Sequence, residues 1–236
     1  MDHLGAAMKF PRIAPEIFPR GLAGVVFDCD GVMIDSREAN RAFYNKVLAV
    51  LGLSPMGPEE ESYAFMATAM EALRRMVPEK RHGEIAGAVA RVDYETEVLP
   101  LVRLMPGFLP FIEALHAAGC RLAIDTNRTD IGIQRVLDFF SLPPYFEPVI
   151  SASCALPKPS PAGAERILRA WDAAPGQALF VGDSENDRLA ARGAGIVFAG
   201  FGGLGGDLTA PDFPTLARLL GLGGAPRAEG PRAGKH

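Results

Sequence analysis

Cysteine is scarce. Cys29, Cys120 and Cys154 are an odd number, lie far apart and form no CxxC pair. That pattern argues against a disulfide framework and against a cysteine zinc site, and it suits a reducing cytoplasm. Histidine is scarce too, and His3, His116 and His236 show no metal-ligand spacing. A basic excess is missing. Lys and Arg number 24 against 28 Asp and Glu, a formal net charge of −4. A mildly acidic chain is a poor match for nucleic acid or an anionic membrane surface, so neither is expected as a partner. No run approaches the roughly 20 apolar residues of a membrane helix. The first residues include Asp2, His3 and Lys9 and lack the continuous apolar stretch of a signal peptide. The expected location is cytoplasmic.

What the chain does have is core material. Hydrophobic residues make up 48% and charged residues 22%, which excludes a mostly disordered chain. At roughly 150 residues per domain, 236 residues allow one large domain or two small ones. Ala23–Phe27 is a short apolar run ending in acids and Gly31, a buried strand followed by a tight loop. From Arg37 to Leu51, Ala39, Phe43, Val47 and Val50 recur at helical spacing. Two more helical stretches, about Glu59–Met76 and Glu84–Leu99, follow, and no strand is expected between residues 37 and 104. Beyond Pro106-Gly107 strands and helices alternate, with strands at Arg121–Ile124, Pro148–Ile150, Ala178–Val181 and Ile196–Phe198. Alternation of this kind predicts a Rossmann-like parallel α/β sheet of about five strands flanked by helices. The block that interrupts it predicts an inserted all-helical cap. The expected division is an N-terminal extension (1–21), an α/β core (22–36 and 105–221), a helical cap (37–104) and a disordered tail (222–236). In the extension, Phe10, Ile13, Ile17 and Phe18 are expected to pack on the core or fray.

Ligands in such sheets bind beyond the carboxyl ends of the strands. Strand one ends in Asp28-Cys-Asp30-Gly31, strand two in Asp125-Thr-Asn127, and strand four in Gly182-Asp183-Ser-Glu-Asn-Asp187. Lys158-Pro-Ser-Pro161 follows the third. Acid, hydroxyl and cation converge on one edge. Two carboxylates at i, i+2 repel unless a cation intervenes, and Mg²⁺ suits such a site with Asp183 as a further ligand. Thr126 offers a hydroxyl, and Lys158 a point charge for phosphate oxygens. The set fits phosphoryl transfer, which runs on positioning and charge stabilisation, and a carboxylate there can serve as a nucleophile.

Four motifs in this order resemble those of the haloacid dehalogenase-like hydrolases. Phe27-Asp-Cys-Asp-Gly-Val-Met-Ile-Asp-Ser36 is similar to the first, Ile124-Asp-Thr-Asn127 to the second, Lys158-Pro-Ser-Pro161 to the third, and Val181-Gly-Asp-Ser-Glu-Asn-Asp187 to the fourth. The resemblance implies Asp28 as the nucleophile and a Mg²⁺ ligand. It implies Asp30 as general acid and then base, with its main-chain carbonyl on the metal. Thr126, Asn127 and Lys158 would bind the phosphoryl group, and Asp183 the metal. Asp187 would orient waters or Lys158. An acid at position 30 points to a phosphate ester rather than a halide, and the fourth motif looks more like the phosphoglycolate phosphatase group than the β-phosphoglucomutases. The expected function is Mg²⁺-dependent hydrolysis of a small phosphorylated metabolite through an aspartyl-phosphate. A phosphomutase or phosphotransferase on the same site is the alternative, and monomer and homodimer are both open.

Several neighbours read more plainly. Cys29, where Phe is frequent, is expected to be a small core residue, and Arg128, where Lys is common, a solvated loop charge, with a phosphate or substrate contact as the alternative. Asp35 and Asp125 are assigned loop-end and hinge roles. The cluster Arg74, Arg75, Lys80, Arg81 and His82 is read as helix-end charge in a solvated turn, with recognition of an anionic substrate as the alternative.

Overall fold

Apolar residues facing both ways along three neighbouring strands decide the architecture. The computed structural model describes residues 10–222. Strand β1 (Gly24–Phe27) is followed by a two-residue strand β2 (Ile34–Asp35). Helices α1 (Arg37–Val50), α2 (Pro58–Met66), α3 (Ala69–Met76), α4 (Ile85–Val89) and α5 (Tyr94–Glu97) come next, and β3 (Arg103–Leu104) closes this insertion. Then follow α6 (Phe108–Ala117), β4 (Arg121–Asp125), α7 (Asp130–Phe139), β5 (Phe146–Ile150), α8 (Ala162–Trp171), β6 (Ala178–Gly182), α9 (Glu185–Ala194), β7 (Val197–Phe201), β8 (Leu208–Ala210) and α10 (Phe213–Leu219). No helix among the described residues is long and apolar enough to cross a membrane.

Six strands form one parallel sheet in the order β5-β4-β1-β6-β7-β8. The sequence predicts about five; the sixth, β8, has three residues and is too short to show a period. The helical block also needs correction, because Arg103–Leu104 is a strand paired antiparallel with Ile34–Asp35. The chain enters and leaves the insertion through this ribbon, and its two arms satisfy each other's backbone groups there. The tail expectation falls on residues outside those described, apart from Leu222, and so does the extension before Phe10. The described part of the extension packs inward, with Phe18 fully buried.

Alternation along the central strands feeds two cores. Val25 and Phe27, Leu122 and Ile124, Leu179 and Val181 face one apolar cluster. Val26, Ala123 and Phe180 face the other, with Trp171. Phe27 meets Phe108, Phe111 and Phe146 edge-on at 5.7, 6.1 and 6.2 Å between ring centroids. The insertion has a third cluster of its own, built on Tyr44, Val47, Leu73 and Ile85.

The insertion's helices are shorter than the period alone predicts. The stretch 59–76 is broken at Ala67, where Thr68 starts α3 with a reciprocal cap. The Glu71 N–H donates to Thr68 Oγ1 at 3.3 Å, and the Thr68 N–H donates to Glu71 Oε2 at 3.0 Å. The stretch 84–99 is broken before Asp93, which starts α5 with a one-way cap: its carboxylate accepts from the Thr96 N–H at 3.2 Å.

Phe108→Ala removes the ring packed on Phe27 and is expected to lower unfolding free energy by about 3–5 kcal/mol. Ile131→Ala, on a residue 66% exposed, is expected to stay within about 0.5 kcal/mol. Urea titration of both variants checks the contrast.

Candidate active site

Sheet register places the acids. Phe27 lies level with Ile124 on one side and Val181 on the other. The residues that follow, Asp28, Asp125 and Gly182, therefore leave the sheet at one edge. Asp183 and Ser184 continue from β6, and Lys158 arrives from the loop between β5 and α8. Two glycines let the acids close up. Gly31 has φ +78°, and a Cβ there would lie 1.9 Å from Asp183 Oδ2. A Cβ on Gly182 would lie 2.3 Å from the Asp187 Cβ.

Asp187 is fixed by local sequence. Ser184 caps α9, and its N–H and hydroxyl donate to Asp187 Oδ2 at 3.0 and 2.6 Å. The other Asp187 oxygen accepts from Lys158 Nζ at 2.6 Å. The same ammonium donates to Asp28 Oδ1 at 2.6 Å. Asp28, Lys158 and Asp187 are all buried. Asp28, Asp183 and Asp187 offer carboxylate oxygens within 4.8 Å of one another. A cavity of about 800 Å³ opens above, floored by Asp28, Asp30, Lys158 and Asp183 and roofed by the insertion. Thr126 is buried, its hydroxyl accepts from the Arg128 N–H at 3.2 Å, and it is not among the residues lining the cavity.

This geometry has counterparts in known proteins. The haloacid dehalogenase-like hydrolase family matches residues 25–201. A phosphoglycolate phosphatase of Cereibacter sphaeroides (strain ATCC 17025 / ATH 2.4.3) is 32% identical over 192 residues, 76% of this chain and 85% of that one. A phosphoglycolate phosphatase of Pseudomonas putida is 30% identical over 200 residues, 81% of this chain and 72% of that one. The crystal structure of a hydrolase of the same superfamily from Geobacter sulfurreducens superposes with a TM-score of 0.66 at 33% identity, covering 84% of this chain and 96% of that one. The chain belongs to the haloacid dehalogenase-like hydrolases. Within them it falls in the phosphoglycolate phosphatase-like group, which makes it a phosphatase.

In this hydrolase Arg128 is no solvated loop charge. Its Nε and Nη2 donate to Asp30 Oδ2 and Oδ1 at 2.7 and 2.6 Å, and its Nη1 donates to the Tyr94 hydroxyl of the insertion at 3.1 Å. The Ser36 hydroxyl donates to Asp30 as well. The sequence reading missed this because the partners lie 98 and 34 positions away in the chain. The Asn127 side chain is also committed differently from its expected phosphate contact. Its Oδ1 accepts from the Lys158 N–H at 2.8 Å, and its Nδ2 donates to the carbonyls of Lys158 at 3.0 Å and Met66 at 3.2 Å. Asn186 Nδ2 reaches the same Met66 carbonyl at 3.1 Å. Two amides thus tie the roof to the floor. The basic cluster stays outside: none of its five residues is among those lining the cavity. Arg81 pairs with Glu84, Arg75 lies over the Tyr63 ring, and His82 Nε2 sits 2.9 Å from the Arg74 and Val77 carbonyls.

Burial and crowding shift the acids apart. Burial, then the charge of Asp187, raises Asp28 well above the ordinary carboxylate range, against the pull of Lys158. Burial and Asp187 push Asp183 up to about 7. Burial also works on Asp30, but the Arg128 guanidinium more than offsets it and holds that carboxyl below its usual value. Asp125 is buried, and burial pushes it up to about 6. One of its oxygens has no hydrogen-bond partner among the described residues. Cys29 is buried, and burial lifts its thiol well above the ordinary value, as an inert core residue requires.

Arg128→Ala leaves the partly buried Asp30 carboxylate without its cation and is expected to cost about 1–3 kcal/mol of stability. Asp30→Ala combined with Arg128→Ala is expected to recover part of that loss. Chemical denaturation of the two single variants and the double variant measures the coupling.

Proposed function

We propose that this hydrolase is a Mg²⁺-dependent phosphatase that releases inorganic phosphate from a small phosphorylated metabolite through an aspartyl-phosphate on Asp28. The observation that carries this reading is the buried Asp28–Lys158–Asp187 array beside Asp30 and Asp183, at the floor of one cavity. The donor set fits a hard divalent cation. Three carboxylates lie within 4.8 Å of one another, and a single ammonium bridges two of them. Asp28 and Asp183 would hold the cation, since both oxygens of Asp187 are engaged by Lys158 and Ser184. Bound Mg²⁺ supplies charge neutralisation for the phosphoryl oxygens.

The chain's own groups do the rest. An Asp28 oxygen attacks phosphorus, the bond to the ester oxygen breaks, and Asp30 gives its proton to the departing alkoxide. Asp30 then takes a proton from water, whose oxygen displaces Asp28 and frees phosphate. Lys158 stabilises the Asp28 carboxylate in the form that attacks, and the Thr126 hydroxyl donates to the phosphoryl group. The Arg128 pair presents Asp30 ionised, ready for the second half of the cycle. Proton delivery in the first half requires that pair to open. The cysteines fit a cytoplasmic setting, because Cys29, Cys120 and Cys154 are all free thiols.

Free phosphate release from a panel of phosphorylated metabolites is expected with Mg²⁺ and not with EDTA. Asp28→Asn is expected to lower it by about a thousandfold or more. Phosphoryl transfer between sugars without phosphate release would overturn hydrolysis in favour of a mutase.

A second expectation concerns pH. Asp183 titrates near 7 in the fold against an ordinary value of 3.8. The native state therefore holds more protons than the unfolded chain across that interval, and stability falls as pH rises through it. A cation on Asp183 replaces the proton. Thermal midpoints in EDTA should decline between pH 5 and 8, and Mg²⁺ should suppress the decline most at pH 8.

A further inference from the structure

No cation of the insertion is among the described residues lining the cavity; Arg37 lies just outside it, 4.5 Å from the centroid of the Phe65 ring. Among the described lining residues, the insertion supplies Phe43, Phe65, Met70 and Leu73, with the carboxylates of Asp93 and Glu95 and no Lys, Arg or His. The three cations that line the cavity all come from the sheet side, and each is already engaged. Lys158 sits between Asp28 and Asp187. Arg128 is bound by both Asp30 oxygens and the Tyr94 hydroxyl. Arg135 pairs with Glu95 at 2.7 Å and lies 5.2 Å from the centroid of the Tyr94 ring.

A phosphate ester whose alcohol bears a second anion would place that anion under this roof. As long as the Arg128–Asp30 pair is closed it would find no unpaired cation among the lining residues, and it would lie near the Asp93 carboxylate and the Glu95–Arg135 pair. The space is also generous. At about 800 Å³ the cavity lies within the roughly 300–1,000 Å³ that encloses drug-sized ligands.

We propose that the roof is a subsite for an uncharged apolar leaving group, so that the preferred substrates are phosphate monoesters of hydrophobic alcohols rather than of carboxylated or doubly phosphorylated ones. The proposal rests on the phosphatase reading and narrows it. It separates this chain from what the names of its relatives say of them, since the alcohol of phosphoglycolate carries a carboxylate.

The test compares kcat/KM for benzyl phosphate, hexyl phosphate and phosphoglycolate with the Mg²⁺-loaded enzyme. All three release a primary alcohol, which keeps intrinsic leaving-group differences small. Benzyl phosphate is expected to exceed phosphoglycolate by about tenfold or more. Phosphoglycolate as the equal or better substrate would overturn the subsite. Met70→Lys places an ammonium at a rim position that is 41% exposed. It is expected to narrow the benzyl-to-glycolate ratio by about tenfold, and an unchanged ratio would count against the roof as the discriminating wall.

A binding arm separates the two readings. Calorimetry of the same protein with phenethylphosphonate and with phosphonopropionate, neither of which can be hydrolysed, reads the subsite without turnover. Tighter binding of the aromatic phosphonate by about tenfold supports the subsite even if no ester is cleaved, an outcome that would instead remove the phosphatase reading. Equal or tighter binding of phosphonopropionate overturns the subsite whatever the turnover.

Discussion

A single ammonium holds the catalytic floor together. Lys158 Nζ lies 2.6 Å from a carboxylate oxygen of both Asp28 and Asp187, and all three side chains are buried. Without that cation three aspartates would crowd one sheet edge, and the cheapest response would be to protonate or to splay apart. Much of the surrounding sequence serves to bring the lysine in and keep it there. Asn127 receives the Lys158 main-chain N–H, Ser184 fixes the far oxygen of Asp187, and Phe180 lies 5.7 Å below the ammonium. Gly31 and Gly182 have no Cβ for a reason of the same kind: the acids must approach backbone that a methyl group would block.

The second ion pair links chemistry to the roof. Arg128 binds Asp30 in a two-pronged contact from the floor and Tyr94 from the insertion, while Asn127 and Asn186 hold the Met66 carbonyl. Roof and floor thus share polar contacts at or close to Asp30 and Lys158. Any displacement of the roof that frees Tyr94 also alters the environment in which Asp30 holds its proton. In the proposed cycle Asp30 would need two protonation states, and a partner anchored to another part of the chain would let its pKa adjust.

The floor was legible in the sequence because each part of it is local. Strand ends announce themselves by an apolar run stopping at an acid, and three of the four motifs sit at such ends, with Lys158 in the loop that follows β5. The Ser184-to-Asp187 cap and the Thr68-to-Glu71 cap are both written in four residues, although the second was hidden by a helical period that runs straight across it. What could not be read was tertiary. Nothing near Arg128 in the chain announces Asp30 or Tyr94, and nothing near Asn127 announces Met66. The two-residue ribbon of Ile34–Asp35 with Arg103–Leu104 has no periodicity to detect, and three-residue β8 is little better. For Arg74, Arg75 and Lys80 the sequence left recognition open as the alternative to helix-end charge, because charge is visible in sequence and facing is not.

Floor and roof are constrained by different physics, and that sets what each can reveal. A floor residue has little freedom. Replacing Lys158 leaves Asp187 uncompensated, and a side chain at Gly31 collides with Asp183. The roof must only fill its own apolar cluster and reach the floor through a carbonyl and a hydroxyl, which many sequences accomplish. Substitutions among Phe43, Phe65, Met70 and Leu73 change what the cavity accepts without disturbing the acids beneath. Reaction class follows from the sheet edge, whereas the choice of alcohol is decided by side chains that the four motifs do not contain.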